Sequence, residues 1–195
     1  MSICEKNISE AIKTNALGTK VIADAALKYN SLAMVLISTD KAVEPSSVMG
    51  ASKRLAELLV QSRDKVSRKG NRTRYITVRF GNVLGSNGSV VPLFQRQLSQ
   101  GGPITVTNKK ATRFFMSITE ACNLVIAASQ LNKSFKTLVL DMGKPINIKN
   151  LLKKMIKLKT HTNKNFNIKI NETGLKKGEK LVEELSINKK IKKTK

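Results

Sequence analysis

Apolar and polar positions follow two periods along this chain, and the switches between them mark its elements. Across residues 2–29, Ile8, Ala11, Ile12, Leu17, Val21, Ile22, Ala25 and Ala26 recur at helical spacing, which predicts one helix over the stretch. Residues 34–37 are instead a continuous apolar run, the pattern of a strand buried on both faces of a parallel sheet. The run stops at Ser38, Thr39, Asp40 and Lys41, four polar side chains at the strand's C-terminal end. Open α/β sheets bind their ligands at that end. Pro45, Ser46 and Ser47 then supply a turn and an N-cap, and residues 48–61 read as an amphipathic helix. Met49 and Lys53 lie four apart on it and share a face.

The alternation continues downstream. A basic connector over 63–74, with Gly70-Asn71 as a turn, leads to a second buried strand over 75–80 and the segment Gly81-Asn82-Val83-Leu84-Gly85. Residues 91–99 form a helix with Pro92 in its first turn. The pair Gly101-Gly102 before Pro103 breaks the chain ahead of a short strand at 104–107. Ser117 or Thr119 caps a helix reaching about residue 130, with Ala121, Leu124, Val125 and Ala128 as its apolar stripe. A strand at 137–140, a helix at 148–158 and an alternating strand at 166–170 complete the pattern, and no internal repeat occurs. The order of elements predicts an α/β fold with a parallel sheet. Its expected division is a core over 1–143, a small C-terminal lobe over 144–186 and a basic tail over 187–195.

Composition narrows the function classes. A chain of 195 residues with 41% hydrophobic content holds one core and a small appendage. Cys4 and Cys122 are far apart without metal-ligand spacing, so two free thiols are expected and no metal site. His161, the single histidine, sits in a polar run and reads as solvated. No apolar run approaches a membrane span and no leader pattern opens the chain, so the expected location is the cytoplasm. The net charge of +23 permits nucleic-acid binding. Only 4% aromatic residues and no recognition-helix or zinc-finger pattern argue against it. The excess lysines travel with Asn and Ile, as biased composition does.

On spacing alone, Asp40-Lys41 followed by a helical lysine fits a solvated basic helix as well as it fits a site. The segments Ser38-Thr39-Asp40-Lys41-Ala42-Val43 and Met49-Gly50-Ala51-Ser52-Lys53-Arg54-Leu55-Ala56-Glu57 decide between them. They resemble the active-site segment of the extended short-chain dehydrogenase/reductases, and more narrowly the bacterial UDP-N-acetylglucosamine 4,6-dehydratases of polysaccharide biosynthesis. Met49 stands where the superfamily's usual tyrosine would be, a habit of one dehydratase branch. Further segments resemble the same family: Asn15-Ala16-Leu17-Gly18-Thr19, Arg79-Phe80-Gly81-Asn82-Val83-Leu84-Gly85, Thr112-Arg113-Phe114-Phe115-Met116, and the run over 174–185. In that run Lys176 replaces an arginine and Lys177 a proline. Together they span about residues 8–186.

The resemblance implies a Rossmann-like three-layer α/β/α fold lacking its Gly-rich N-terminal βαβ half, since no G-x-x-G-x-x-G opens the chain. It implies NAD or NADP as cofactor, a UDP-sugar as substrate, and either a homo-oligomer or a separate N-terminal half as partner. Helices containing Asn15 and Lys53 pair across dimers in that superfamily. Asp40 is the expected acid for the C6 hydroxyl and Lys41 the expected base at C5. Thr39 is expected on the C4 hydroxyl, with Met49 and Lys53 completing the catalytic set. Asn15, Ser38, Lys53, Phe80 and Val83 would face the cofactor, and Asn82, Arg113 and Lys176 the substrate. The rivals are an epimerase or reductase on the same scaffold, an inactive chain, and a basic nucleic-acid binder.

Overall fold

A computed structural model of the chain describes residues 2–67, 73–86, 88–131, 137–160 and 168–186. His161, the Gly70-Asn71 turn and the basic tail over 187–195 lie outside them. The described chain divides into two compact units. The first comprises residues 1–80, 122–141 and 184–195, and the second 81–121 and 142–183. The sequence division at residue 143 differs, because residues 81–121 build their core with the later segment.

The first unit is a parallel sheet with helices packed on it. The helix expected over 2–29 is interrupted at Asn7, which separates α1 (Ser2–Lys6) from a continuous run made of α2 (Ile8–Ile12), a π turn at Lys13–Leu17 and α3 (Gly18–Lys28). Strand β1 (Ala33–Thr39) leads to a 3₁₀ turn at Asp40–Ala42 and to α4 (Val48–Ser67), and β2 (Arg74–Phe80) follows. Helix α4 runs well past its expected end at 61, since Val60, Asp64 and Ser67 continue its buried face. Strand β1 pairs in parallel with β2 from Ala33 opposite Arg74 to Thr39 opposite Phe80. Further on, β2 pairs in parallel with β7 (Leu138–Val139).

Side-chain size explains the packing. Ala23, Ala26 and Ala56 are small enough to bring α3 and α4 close over Leu36, Val60 and Tyr75. The Tyr75 hydroxyl, buried with its ring, donates to the Ala23 carbonyl at 2.6 Å. Strand β2 is buried continuously from Tyr75 to Arg79, as its apolar run predicts. Strand β1 is not: Leu36 is buried but Ile37 is 43% exposed. Among the described residues β1 ends the sheet order and pairs only with β2, and Ile37, which points to the face opposite Leu36, lacks the cover that the run predicts.

Two features lock α4 to the ends of the strands. Gly50 lies against the turn that follows β1, and a Cβ there would fall on the Lys41 carbonyl oxygen. Only glycine permits that approach. Glu57, wholly buried on α4, accepts from the Ser38 hydroxyl at 2.6 Å, from Arg79 Nη2 at 2.6 Å and from Arg54 Nη1 at 2.9 Å.

The second unit contains β3 (Asn82–Val83), α5 (Val90–Ser99), β4 (Ile104–Val106), β5 (Thr112–Arg113), β6 (Phe115–Met116), β8 (Ile146–Asn147), α7 (Ile148–Thr160) and β9 (Ile170–Glu172). Helix α6 (Ile118–Gln130) starts in it and continues into the first unit, with the Ser117 hydroxyl accepting from the Glu120 amide at 3.1 Å as the capping pattern predicts. Its core joins Phe94 and Leu98 of α5, Ile104 and Val106 of β4, and Ile148 and Leu152 of α7. Short pairings stitch the unit: β3 with β6 and β4 with β9 in parallel, and β5 with β8 antiparallel.

Removing one partner of a buried ion pair strands the other charge, so Glu57→Ala lowers the unfolding free energy by about 3–5 kcal/mol in urea titrations. Removing the exposed Glu10–Lys13 pair by Glu10→Ala changes it by less than about 1 kcal/mol. Gly50→Ala destabilises by about 1–3 kcal/mol through overpacking, although alanine is the better helix former. A stabilised Gly50→Ala variant contradicts the packing described.

Candidate active-site segment

The polar end of β1 folds back on itself. Thr39 remains extended and caps the 3₁₀ turn, which closes when the Val43 amide donates to the Asp40 carbonyl at 3.0 Å. The Thr39 hydroxyl accepts from the Lys41 amide at 3.4 Å and donates to Asp40 Oδ1 at 2.9 Å. Lys41 Nζ reaches the same Oδ1 at 2.9 Å. The Asp40 side chain is wholly buried and that of Lys41 only 17% exposed. Asp40 Oδ2 is sealed from water with no partner among the described residues. A buried acceptor left without a donor is expensive. A hydroxyl brought by a ligand relieves it.

Helix α4 presents the second group. Its first turn is capped twice: Ser47 Oγ accepts from the Gly50 amide at 3.1 Å, and Glu5 of α1 accepts from the Val48 amide at 2.6 Å. Met49, half-buried, offers its carbonyl to the Ser52 hydroxyl at 3.0 Å. Ser52 in turn accepts from Asn15 Nδ2 at 3.0 Å. Asn15 sits within the π turn, a widening of the helix that often marks functional sites. The Asn15 carbonyl accepts from the Thr19 hydroxyl at 2.7 Å.

Lys53 Nζ donates to the Ile37 carbonyl at 3.3 Å, which places it beside the end of β1. Burial holds the Lys53 ammonium below the ordinary lysine pKa, while the Glu57 carboxylate one turn on pulls the other way. Thr39, Asp40, Lys41, Met49, Lys53 and Asn15 therefore all belong to one unit and cluster where β1 meets α4. Ser38 also lies there, but its buried hydroxyl donates to Glu57. Phe80, half-buried, ends β2 opposite Thr39.

The remaining candidates lie in the second unit. The Asn82 amide donates to the Phe114 carbonyl at 2.9 Å, and Val83 pairs with Met116. Arg113 is buried and its fork is engaged within the protein. Nη2 donates to Glu179 Oε1 at 2.8 Å, and Nη1 to the carbonyls of Thr112 at 2.7 Å and Leu181 at 3.1 Å. Glu179 also accepts from the Thr107 hydroxyl at 2.9 Å and the Lys176 amide at 3.2 Å. Arg113 and Lys176 thus meet through Glu179, with the Lys176 side chain exposed.

Sequence reasoning missed Glu57 and Glu179. The available signals were an acid four residues beyond Lys53 with two arginines in reach, and the acid within Gly178-Glu179-Lys180. A nicotinamide cofactor fits the first unit on the chemistry of its donors. Lys53 carries three N–H donors, one of which goes to Ile37, and suits ribose hydroxyls. Among the described residues no group of side chains could hold a metal ion, and no helix is long and apolar enough to cross a membrane.

Comparison with known proteins places this geometry in context. The family model described as "Polysaccharide biosynthesis protein" matches residues 1–195. The probable polysaccharide biosynthesis protein EpsC of Bacillus subtilis is 49% identical over 183 residues, 94% of this chain and 30% of EpsC. A UDP-glucose 4-epimerase of Rickettsia canadensis is 45% identical over 125 residues, 64% of this chain and 36% of that protein. The chain therefore spans about a third of the length of these curated relatives. Among solved structures, Pen from Bacillus thuringiensis superposes with a TM-score of 0.89 at 40% identity, covering 95% of this chain and 56% of Pen. A dTDP-glucose 4,6-dehydratase of Bacillus anthracis, solved with NAD, shares the Rossmann-like fold at a TM-score of 0.73 and 17% identity, over 86% of this chain and 57% of that one. Matched along its whole length, the chain belongs to the polysaccharide biosynthesis protein family, as the residues at the end of β1 and the start of α4 imply.

Proposed function

We propose that this chain carries the catalytic segment of an NAD(P)-dependent nucleotide-sugar 4,6-dehydratase acting on a UDP-N-acetylhexosamine. The observation that supports it most is the Asp40–Lys41 pair: a wholly buried carboxyl bonded through one oxygen to a lysine and carrying a second oxygen without a partner among the described residues. Dehydration across two neighbouring carbons needs an acid and a base held side by side. A bound nicotinamide would take hydride from C4 and return it to C6.

The protein's own groups do the rest. The ion pair and its neutral tautomer differ by one proton shift along a 2.9 Å hydrogen bond. The C4 hydroxyl proton, freed as hydride leaves C4, passes through the Thr39 hydroxyl, which also touches Asp40. It reaches an ionised Asp40 beside a neutral Lys41, and so gives that neutral form. Lys41 then takes the C5 proton while Asp40 gives its own to the departing C6 hydroxyl, which leaves as water. The pair stands as the ion pair at that stage, and Lys41 returns a proton to C5 as hydride reaches C6, which restores neutral Lys41 beside ionised Asp40. Lys53, tied to the Ile37 carbonyl, binds ribose hydroxyls and supplies positive charge. Met49 has no proton to give, which leaves proton transfer to Thr39, Asp40 and Lys41.

A C4 epimerase is the second reading, and the Rickettsia relative favours it. Epimerisation at C4 needs no acid at C6, so the acid–base pair weighs against it. In the holoenzyme, Asp40→Asn and Lys41→Ala each reduce turnover by about 10²–10⁴-fold, followed as loss of one water from the sugar by mass spectrometry. Near-normal turnover in both variants contradicts the assignment.

The lowered Lys53 pKa makes a second expectation. A depressed folded pKa means that the folded chain binds fewer protons than the unfolded one, from that value up to about 10.4. Stability attributable to Lys53 therefore rises with pH across the window and falls as pH drops through it. Urea titrations of wild type and Lys53→Met at several pH values differ in slope in that sense; equal slopes contradict it.

A further inference from the structure

Glu57 takes no part in the chemistry assigned above, yet its side chain accepts four hydrogen bonds. Oε1 accepts from Ser38 Oγ at 2.6 Å and from Arg79 Nε at 3.1 Å. Oε2 accepts from Arg79 Nη2 at 2.6 Å and Arg54 Nη1 at 2.9 Å. Arg79 continues outward, with Nη1 donating to the Leu185 carbonyl at 3.3 Å. The donors come from the end of β1, the end of β2 and α4 itself, and Ser38 and Arg79 are register partners in the sheet.

What this arrangement fixes is the seating of α4 against the last residues of β1. Lys53 Nζ bonds the Ile37 carbonyl and Glu57, one turn later, bonds the Ser38 hydroxyl. The two ties act on consecutive residues of β1, immediately ahead of Thr39 and Asp40. Rotating α4 by a single residue swings its side chains by about 100° and breaks both. Burying a carboxylate with two guanidinium groups is no better for stability than an apolar filling of the same volume. What the ionic version adds is direction, since charge-assisted hydrogen bonds hold distance and angle.

We infer that Glu57 is a positioning residue, whose carboxylate sets Lys53 and the Thr39–Asp40–Lys41 turn in their working relation. The inference rests on the proposed dehydratase reading for what those residues do, but not for where they sit. Arg79 and Ser38 act through Glu57, to whose carboxylate both donate.

The test uses Glu57→Gln and the double variant Glu57→Leu/Arg79→Met, which replaces the buried pair with apolar side chains so that the fold survives even where a single removal would not. In the holoenzyme both are expected to lose about 10²-fold in kcat, the scale of a misplacement near 1 Å, with KM for the UDP-sugar changing less than about threefold. Glu57→Asp is expected to recover part of the loss. NMR order parameters of the Lys53 Cε methylene form an arm that needs no turnover: ordered in wild type, and lowered in both variants. A folded variant with unchanged kcat and unchanged Lys53 order overturns the inference. If wild type dehydrates no sugar, the functional reading fails, and the order parameters alone decide: a fall upholds the positioning role and an unchanged value overturns it.

Discussion

One buried carboxylate constrains the rest of this structure. Glu57 sits at 0% exposure between two arginines and the serine that closes β1. A charge that deep is tolerable only when every lone pair has a donor. Satisfying it draws β1, β2 and α4 into one geometry and brings the carbonyl of Leu185 to Arg79. The Thr39–Lys41 turn lies one residue beyond that anchor. Gly50 completes the arrangement from the other side, because its missing side chain lets α4 rest on the Lys41 carbonyl.

Much of the fold was legible because it follows from period and capping. The apolar run at 34–37, the polar stop after it and the serine cap of α4 map onto a strand, a turn and a helix with little adjustment. The buried run of β2 was equally plain. What was hidden depends on partners distant in sequence. Glu57 reads as a solvent-facing acid on an amphipathic helix until Arg79 is placed opposite Ser38. The π turn at Lys13–Leu17 shows in the pattern only as one five-residue step, from buried Ala11 to buried Ala16, and a single such step reads as a gap in an ordinary helical stripe. Ile37 reads as buried because an apolar run cannot say whether both faces of its strand are covered.

The candidate site was legible to different depths. Thr39, Asp40, Lys41 and Lys53 were singled out from their place at a strand end and a helix start, and their positions in the structure are those. Asn15 came from resemblance, and its bond to Ser52 shows how it reaches α4. Arg113 was expected to offer its fork to a diphosphate; its Nη groups instead hold Glu179 and two backbone carbonyls. Lys176, whose ammonium group is exposed in that part of the second unit, is a point charge without the geometry of a guanidinium.

The central claim is that Asp40 and Lys41 act on two adjacent carbons of one hexose. Its most direct measurement is the product formed by the holoenzyme from a UDP-N-acetylhexosamine in deuterated water. The account predicts a sugar that has lost one water and carries solvent deuterium at C5. A product of unchanged composition, inverted at C4 and free of deuterium at C5, would contradict it.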